Sequence, residues 1–297
     1  MSFRKGYIMR MSLDCFSCYM RQTLQASRMS TPDVRLHWKA MRAAAEYLLD
    51  LTPEHDGIEA SEELHQRIKR ALGDPDPYIK VKEQFTRIAE EVTARIEELA
   101  LQGDDPLVAA VKLAIAGNII DFGADTAHAL CNGIDTALDV NFDIENIDSF
   151  SAAFEKSKTI LFIGDNTGEV YFEKPLLRLM QGKEVTYVVR GGPILNDVTM
   201  DYALRAGLDK LARLTDTGLS APGFPMERVR SDVRAMFDAA EMVIAKGMGN
   251  FESLLDVKRP RVFCLLKAKC DLVASMLQVR HGAVLLLECG RFEMHSI

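Results

Sequence analysis

Positive charge is in deficit in this chain: 36 Lys and Arg stand against 43 Asp and Glu over 297 residues, a net charge of -7 at pH 7. A broad basic face of the kind that grips nucleic acid is thereby excluded, although a local basic pocket is not. Long apolar runs are missing too. The stretch Ala283 to Leu287 has the length of a buried strand, and nothing is long enough to span a bilayer. No secretory leader is read at the start, because Ser12, Asp14 and Ser17 interrupt the place where an apolar segment would follow Met1 to Met11. Cysteine is sparse at six residues, which without a leader indicates reduced thiols and a cytoplasmic location. Cys15 and Cys18 form the one Cys-x-x-Cys pair, so a four-cysteine zinc site built on two such pairs is excluded. For that pair, structural packing, a metal and redox chemistry stay open. The single tryptophan, Trp38, with Leu36 and Met41 nearby, is assigned to the core of the second helix.

What is present divides into two grammars. From Leu13 to about Leu138 apolar residues recur three and four apart, in Val34 to Leu51, Glu62 to Leu72, Tyr78 to Leu101 and Leu107 to Phe122. Turn chemistry separates them at Thr52-Pro53, Gly73 to Pro77 and Gly103 to Pro106. This half reads as a helical bundle or cap. From Thr159 onward short apolar runs alternate with helical patterns. The runs are Ile160–Ile163, Val185–Val189, Met242–Ala245, Val262–Leu266 and Val284–Leu287. Strands alternating with helices predict a mainly parallel sheet covered on both faces, an α/β fold behind an α-helical N-terminal domain. The division is placed between residues 1–145 and 146–297, with part of the helical half packing back onto the sheet.

Chemistry concentrates at three predicted strand ends. The first run opens into Gly164-Asp165-Asn166-Thr167-Gly168-Glu169. In an open α/β sheet ligands bind at the carboxyl ends of strands, and a carboxylate beside an amide there offers hard oxygen ligands to a divalent cation. The second run ends in Arg190-Gly-Gly-Pro-Ile-Leu-Asn196-Asp197, where Asp197 is either a helix N-cap or a third ligand reaching toward Asp165. The third ends in Lys246-Gly-Met-Gly249-Asn250-Phe-Glu252, a lysine with glycines that let backbone approach a phosphate. It lacks the spacing of a Walker loop. His55, His65, His281 and His295 lack acid or cysteine partners at ligand spacing and read as surface or packing residues.

These blocks resemble those of the metal-dependent damage-control phosphatases, long catalogued as domain of unknown function eighty-nine. The likeness extends in order through Cys15-Phe-Ser-Cys18, Asp76-Pro-Tyr78 with Lys80, Gly117 to Asp121 and Leu266 to Cys270, which look like blocks of the microbial Cys-x-x-Cys branch. It implies an α/β/α sandwich after a helical region, and hydrolysis of phosphate monoesters with a divalent cation. Carried over by motif position, the metal ligands are Asp165, Asn166 and Asp197, and Lys246 faces the phosphate. Gly168, Glu169, Asn196, Gly249, Asn250, Glu252, Asn118 and Asp121 are the expected substrate contacts. The chain departs from the family where Phe172-Glu173-Lys174 replaces the usual Phe-Asp-Lys, and where Asp271 follows Cys270 in place of proline.

The chemistry of the donors suits Mg²⁺ or Mn²⁺, with Co²⁺ or Ni²⁺ admitted by looser geometry. A metal-activated water is preferred to an aspartyl-phosphate route through Asp165, which would want a second acid where Thr167 stands. The expected partner is a small phosphorylated metabolite such as a sugar phosphate, with neither nucleic acid nor membrane. Two other classes are weighed: an S-adenosylmethionine-dependent carboxyl methyltransferase, for which no glycine-rich nucleotide loop follows the first strand, and a non-catalytic sugar-phosphate or nucleotide binder.

Overall fold

A computed structural model of the protein describes residues 11–102, 105–119, 138 and 141–289. Three helices open it: α1 (Leu13–Ser30), α2 (Val34–Leu48) and α3 (Gly57–Leu72). Each start is set by a side-chain oxygen that accepts an otherwise unpaired backbone N–H. Ser12 accepts from Asp14, Asp33 from Arg35, and Asp56 from both Ile58 and Glu59. Helix α3 stops at Gly73, whose φ of 69° is the left-handed conformation that glycine adopts freely. The three helices share a core of their own around Tyr19, Ala26, Ala40, Ala44, Leu64 and Ile68. Trp38 is not in it, contrary to expectation, and is 64% exposed. The buried face of α2 runs through Ala40, Ala44, Tyr47 and Leu48, and residue 38 falls on the other side of that period.

The sheet has seven strands: β1 (Ile144–Glu145), β2 (Thr159–Ile163), β3 (Glu184–Val189), β4 (Arg213–Asp216), β5 (Met242–Lys246), β6 (Val262–Lys267) and β7 (Val284–Glu288). Their order is β1-β7-β6-β5-β2-β3-β4. All pairings are parallel except β6 with β7. The five apolar runs became β2, β3, β5, β6 and β7. Two edge strands escaped sequence reading, because β1 has two residues and β4, Arg-Leu-Thr-Asp, carries little apolar content. From β2 the chain steps outward to β3 and β4, then returns to lay β5 on the opposite side of β2. The crevice beyond the ends of β2 and β5 is therefore a topological switch point, where such sheets bind ligands. Register sharpens this. Ile163 pairs with both Val188 and Ala245, so the loops after three neighbouring strands begin at one level.

Alternation along the strands feeds two cores. On one face Ile160, Phe162, Tyr187 and Ile244 pack beneath α4 (Ile79–Ala100), α5 (Pro106–Ile119) and α7 (Val170–Leu179). On the other face Leu161, Ile163, Val188 and Val243 meet α9 (Ser231–Ala239), α10 (Met248–Leu254) and α11 (Asp271–Met276). Two short helices, α6 (Ile147–Lys156) and α8 (Met200–Arg205), complete the connections. Thus α4 and α5, which the sequence places in the helical half, cover the sheet. Helix α4 also carries Phe85 against the tight turn Thr167–Glu169, and a Cβ on Gly168 would lie 2.0 Å from the Phe85 ring. Gly168→Ala is accordingly expected to lose about 1–3 kcal/mol of stability through overpacking. Phe85→Leu in the same chain should recover much of that loss in denaturant titrations. Equal stability of Gly168→Ala and the parent would show that the seam yields without cost.

Candidate active site

The loops after β2 and β3 are stitched together by main chain. Asn166 and Asp197 form an antiparallel bridge. The Thr167 N–H and hydroxyl both donate to the Asn196 carbonyl at 3.0 Å, and the Val198 N–H donates to the Asp165 carbonyl at 2.8 Å. Gly164 begins the turn because a Cβ there would lie 2.4 Å from the Tyr187 hydroxyl. Leu195 takes φ 45°, an unfavourable value for a branched residue, and lets the second loop double back. Asp165, Asn166 and Asp197 are brought together in this way. Asp197 is not an N-cap; Thr199 holds that position on α8.

Arg190, the residue directly after β3, locks the arrangement. Its side chain is wholly buried, Nε donates to Asp197 Oδ2 at 2.6 Å, and Nη1 donates to Asn250 Oδ1 at 3.1 Å. Its Nη2 stands 3.8 Å from Asp165 Oδ1. The Asn250 amide in turn donates to the Gly164 carbonyl at 3.0 Å and to the Lys246 carbonyl at 2.6 Å. One arginine and one asparagine therefore cross-link all three strand ends. Burial, then the charges of Glu169 and Asp197, hold the Asp165 carboxyl well above the usual carboxylate range. Burial also raises Asp197, against the pull of Arg190.

Lys246 closes β5 and is fully buried. Its ammonium pairs with Glu169 at 2.9 Å and lies 3.7 Å from Glu173, whose other oxygen accepts from the Tyr187 hydroxyl at 2.6 Å. Burial alone would lower the lysine, but the two glutamates outweigh it and its pKa is raised. Gly247, at φ 79°, lets the chain pass the first loop; a Cβ there would sit 1.9 Å from Asp165 Oδ2.

The remaining expected contacts separate. Glu169 bonds the Asn166 amide at 2.5 Å as well as Lys246, so it braces the loop. Gly168 faces Phe85, and Gly249 faces the backbone of Gly223. Asn196 keeps an amide nitrogen buried and without a hydrogen-bond partner. Glu252 lies apart, lining a cleft of about 510 Å³ between α3 and residues 225–228; burial and then Asp56 push its carboxyl up to about 7. Asn118 lies on α5 but its side chain is outside the described residues, as are Asp121 and His295. His281 does have an acid partner, Asp271 at 2.6 Å, ten residues away where ligand spacing would not find it. Arg190 and the cap residue Lys82 were missed altogether. The only signal for Arg190 was a cation immediately following an apolar run.

The chain matches the family model described as "Damage-control phosphatase ARMT1-like domain" over residues 11–285. The chain belongs to this family. A protein of Pyrococcus horikoshii named a damage-control phosphatase is 35% identical over 285 residues, 93% of this chain and 97% of that one. An Archaeoglobus fulgidus protein named a damage-control phosphatase is 29% identical, over 92% of this chain and 97% of its own length. The crystal structure of a DUF89-family protein from Pyrococcus horikoshii superposes with a TM-score of 0.88 at 32% identity, covering 94% of this chain and 99% of that one. The blocks read from the sequence thus identify the family correctly, and the α/β fold is that of a solved relative. Membership makes the protein a phosphatase in class. Among the described residues no helix is long and apolar enough to cross a membrane.

Burial raises the Glu173 carboxyl from 4.5 to about 7. The folded state then holds a proton that the unfolded chain has released, so this residue's contribution to stability falls as pH rises from 4.5 to 7. Glu173→Gln is expected to flatten that part of the curve in thermal melts between pH 5 and 8. A slope unchanged from the parent would place the titration elsewhere.

Proposed function

We propose that the protein hydrolyses small phosphate monoesters, sugar phosphates or damaged phosphometabolites, using a divalent cation held by Asp165, Asn166 and Asp197. The observation that carries this reading is the pair of carboxylates, half-buried Asp165 and buried Asp197, brought together by the Asn166–Asp197 bridge at the switch point. Among the described residues no group of three or more His, Cys, Asp or Glu side chains forms a metal-binding array. The ligand set here needs only two acids, because its third donor is an amide oxygen. The donors fit a hard cation: all are oxygens, and each acid is held above its ordinary pKa by burial, which a nearby positive charge would relieve. Mg²⁺ or Mn²⁺ suits such donors best, with Co²⁺ or Ni²⁺ admitted.

A divalent cation bound there supplies Lewis acidity to a phosphoryl oxygen and acidity to a water. The chain's own residues do the positioning. Arg190 fixes Asp197, Asn250 fixes the start of both flanking loops, and Lys246 presents a permanent charge oriented by Glu169. Phosphoryl transfer asks chiefly for such positioning and charge neutralisation. The aspartyl-phosphate route is disfavoured by Thr167, whose hydroxyl is engaged by the carbonyls of Asn196 and Asp197 at 3.0 and 3.2 Å. It offers no acid to a leaving group.

Phosphate release from a panel of sugar phosphates, nucleotides and p-nitrophenyl phosphate, with Mg²⁺, Mn²⁺, Co²⁺, Ni²⁺ or chelator, tests the reading. Release is expected to need metal and to fall by on the order of 10²-fold or more in a folded Asp165→Ala variant. Turnover that survives both chelation and the substitution would overturn it, and silence across the panel with tight ligand binding would favour a non-catalytic binder.

A further inference from the structure

Resting on the phosphatase reading, the geometry points to a second grip on the substrate's phosphate, formed by Lys82 from cap helix α4, Arg190 after β3 and the amide of Asn196. Buried donors without acceptors cost free energy, so native proteins leave few of them. Among the described residues three buried side-chain nitrogens have donor capacity left over: Lys82 Nζ beyond its ion pair with Asp76, Arg190 Nη2 beyond its 3.8 Å approach to Asp165 Oδ1, and Asn196 Nδ2, which has no hydrogen-bond partner. All three belong to the surroundings of one carboxylate, Asp197. Asn196 precedes it, Arg190 bonds it, and the Lys82 ammonium is near enough to lower its pKa.

Helix geometry agrees independently. Lys82, Phe85 and Thr86 are spaced three and four apart, so they share a face of α4, and all three are buried. Phe85 on that face packs on Gly168, which directs Lys82 toward the loops carrying Asp165 and Asp197. Its ammonium, 1% exposed, is paired with Asp76 Oδ2 at 2.5 Å, which leaves further N–H groups free, and stands 5.8 Å from the centre of the Tyr202 ring. Asp76 and Tyr202 thereby limit where the ammonium can go. Arg190 is likewise fixed by Nε and Nη1, leaving Nη2 without a hydrogen bond and facing Asp165 Oδ1 at 3.8 Å. Two fixed cations and an amide, offered around Asp197 from a cap helix and a sheet loop, match an anion with several acceptor oxygens. A phosphate dianion is such a group. The cap then touches the phosphate directly, and binding requires α4 to be seated on the sheet.

Isothermal titration of the full chain with inorganic phosphate, with Mg²⁺ and with chelator, tests this. Lys82→Met is expected to weaken phosphate binding tenfold or more while circular dichroism and melts stay those of a folded protein. Lys82→Gln serves should the methionine variant fail to fold. Lys80→Met, at an exposed neighbour whose ammonium reaches the Ser30 carbonyl at 3.3 Å, should bind as the parent does. Phosphate affinity within twofold of the parent in Lys82→Met or Lys82→Gln, or no phosphate binding by the parent, would overturn the grip and leave those donors to water. The two readings fail separately. Turnover with Lys82-independent phosphate affinity sinks the grip alone, and Lys82-dependent phosphate binding without turnover on any substrate sinks the hydrolase alone.

Discussion

The ion pair between Arg190 and Asp197 is the constraint on which the site is built. Its partners are 0% and 5% exposed, and removing both from water is expensive. A pair of that kind survives only when the remaining donors and acceptors are also engaged. Here they are engaged across the sheet edge: Arg190 reaches Asn250, Asn250 reaches back to the ends of β2 and β5, and the loop bearing Asp197 is bridged to the loop bearing Asn166. The cost of burial becomes tolerable because one residue serves three strand ends. Parallel pairing made this possible by starting all three loops at one level.

The same enclosure sets the electrostatics. Four carboxyls, Asp165, Glu169, Glu173 and Asp197, face the two cations Arg190 and Lys246 in an enclosed space. Lysine and glutamate form one subset and arginine and aspartate the other, with Asp165 between them as the most exposed of the acids at 13%. Desolvation pushes Asp165, Glu173 and Asp197 toward neutrality, and the nearby cations pull the other way. An acidic excess in a low-dielectric crevice is a place for a further positive charge. That is why the metal reading rests on the charge inventory as much as on motif.

Much of this was legible in the sequence because its causes are local. A five-residue apolar run buried on both faces stays apolar whatever surrounds it, and a strand ending in Gly-Asp-Asn shows its turn and its donors in one string. What failed to show depends on partners far away in the chain. Arg190 looks like any cation after a strand until Asp197 and Asn250 fold onto it. Lys82 looks like a solvated helix residue until Phe85, three positions on, proves to sit on Gly168. Trp38 misled for the opposite reason: a large aromatic suggests core, yet its angular position on α2 decided the matter. The antiparallel β7 has the same buried composition as its parallel neighbours, so direction left no trace in residue type.

The departure at Glu173 has a physical account in this geometry. A family segment with aspartate at that position ends one methylene shorter. Here the longer side chain extends from α7 to take the Tyr187 hydroxyl with one oxygen and approach Lys246 with the other, at 2.6 and 3.7 Å. Tyr187 is itself fixed by the sheet and stacks on Phe162, with ring centres 5.1 Å apart. Its hydroxyl also lies over Gly164, the residue whose missing Cβ admits it. Lengthening the acid therefore lets one carboxyl join the tyrosine, through it the loop after β2, and Lys246. Lys246 gains a second counter-charge from the cap side of the sheet, and the orientation of its ammonium is set from two helical positions one turn apart, Glu169 and Glu173.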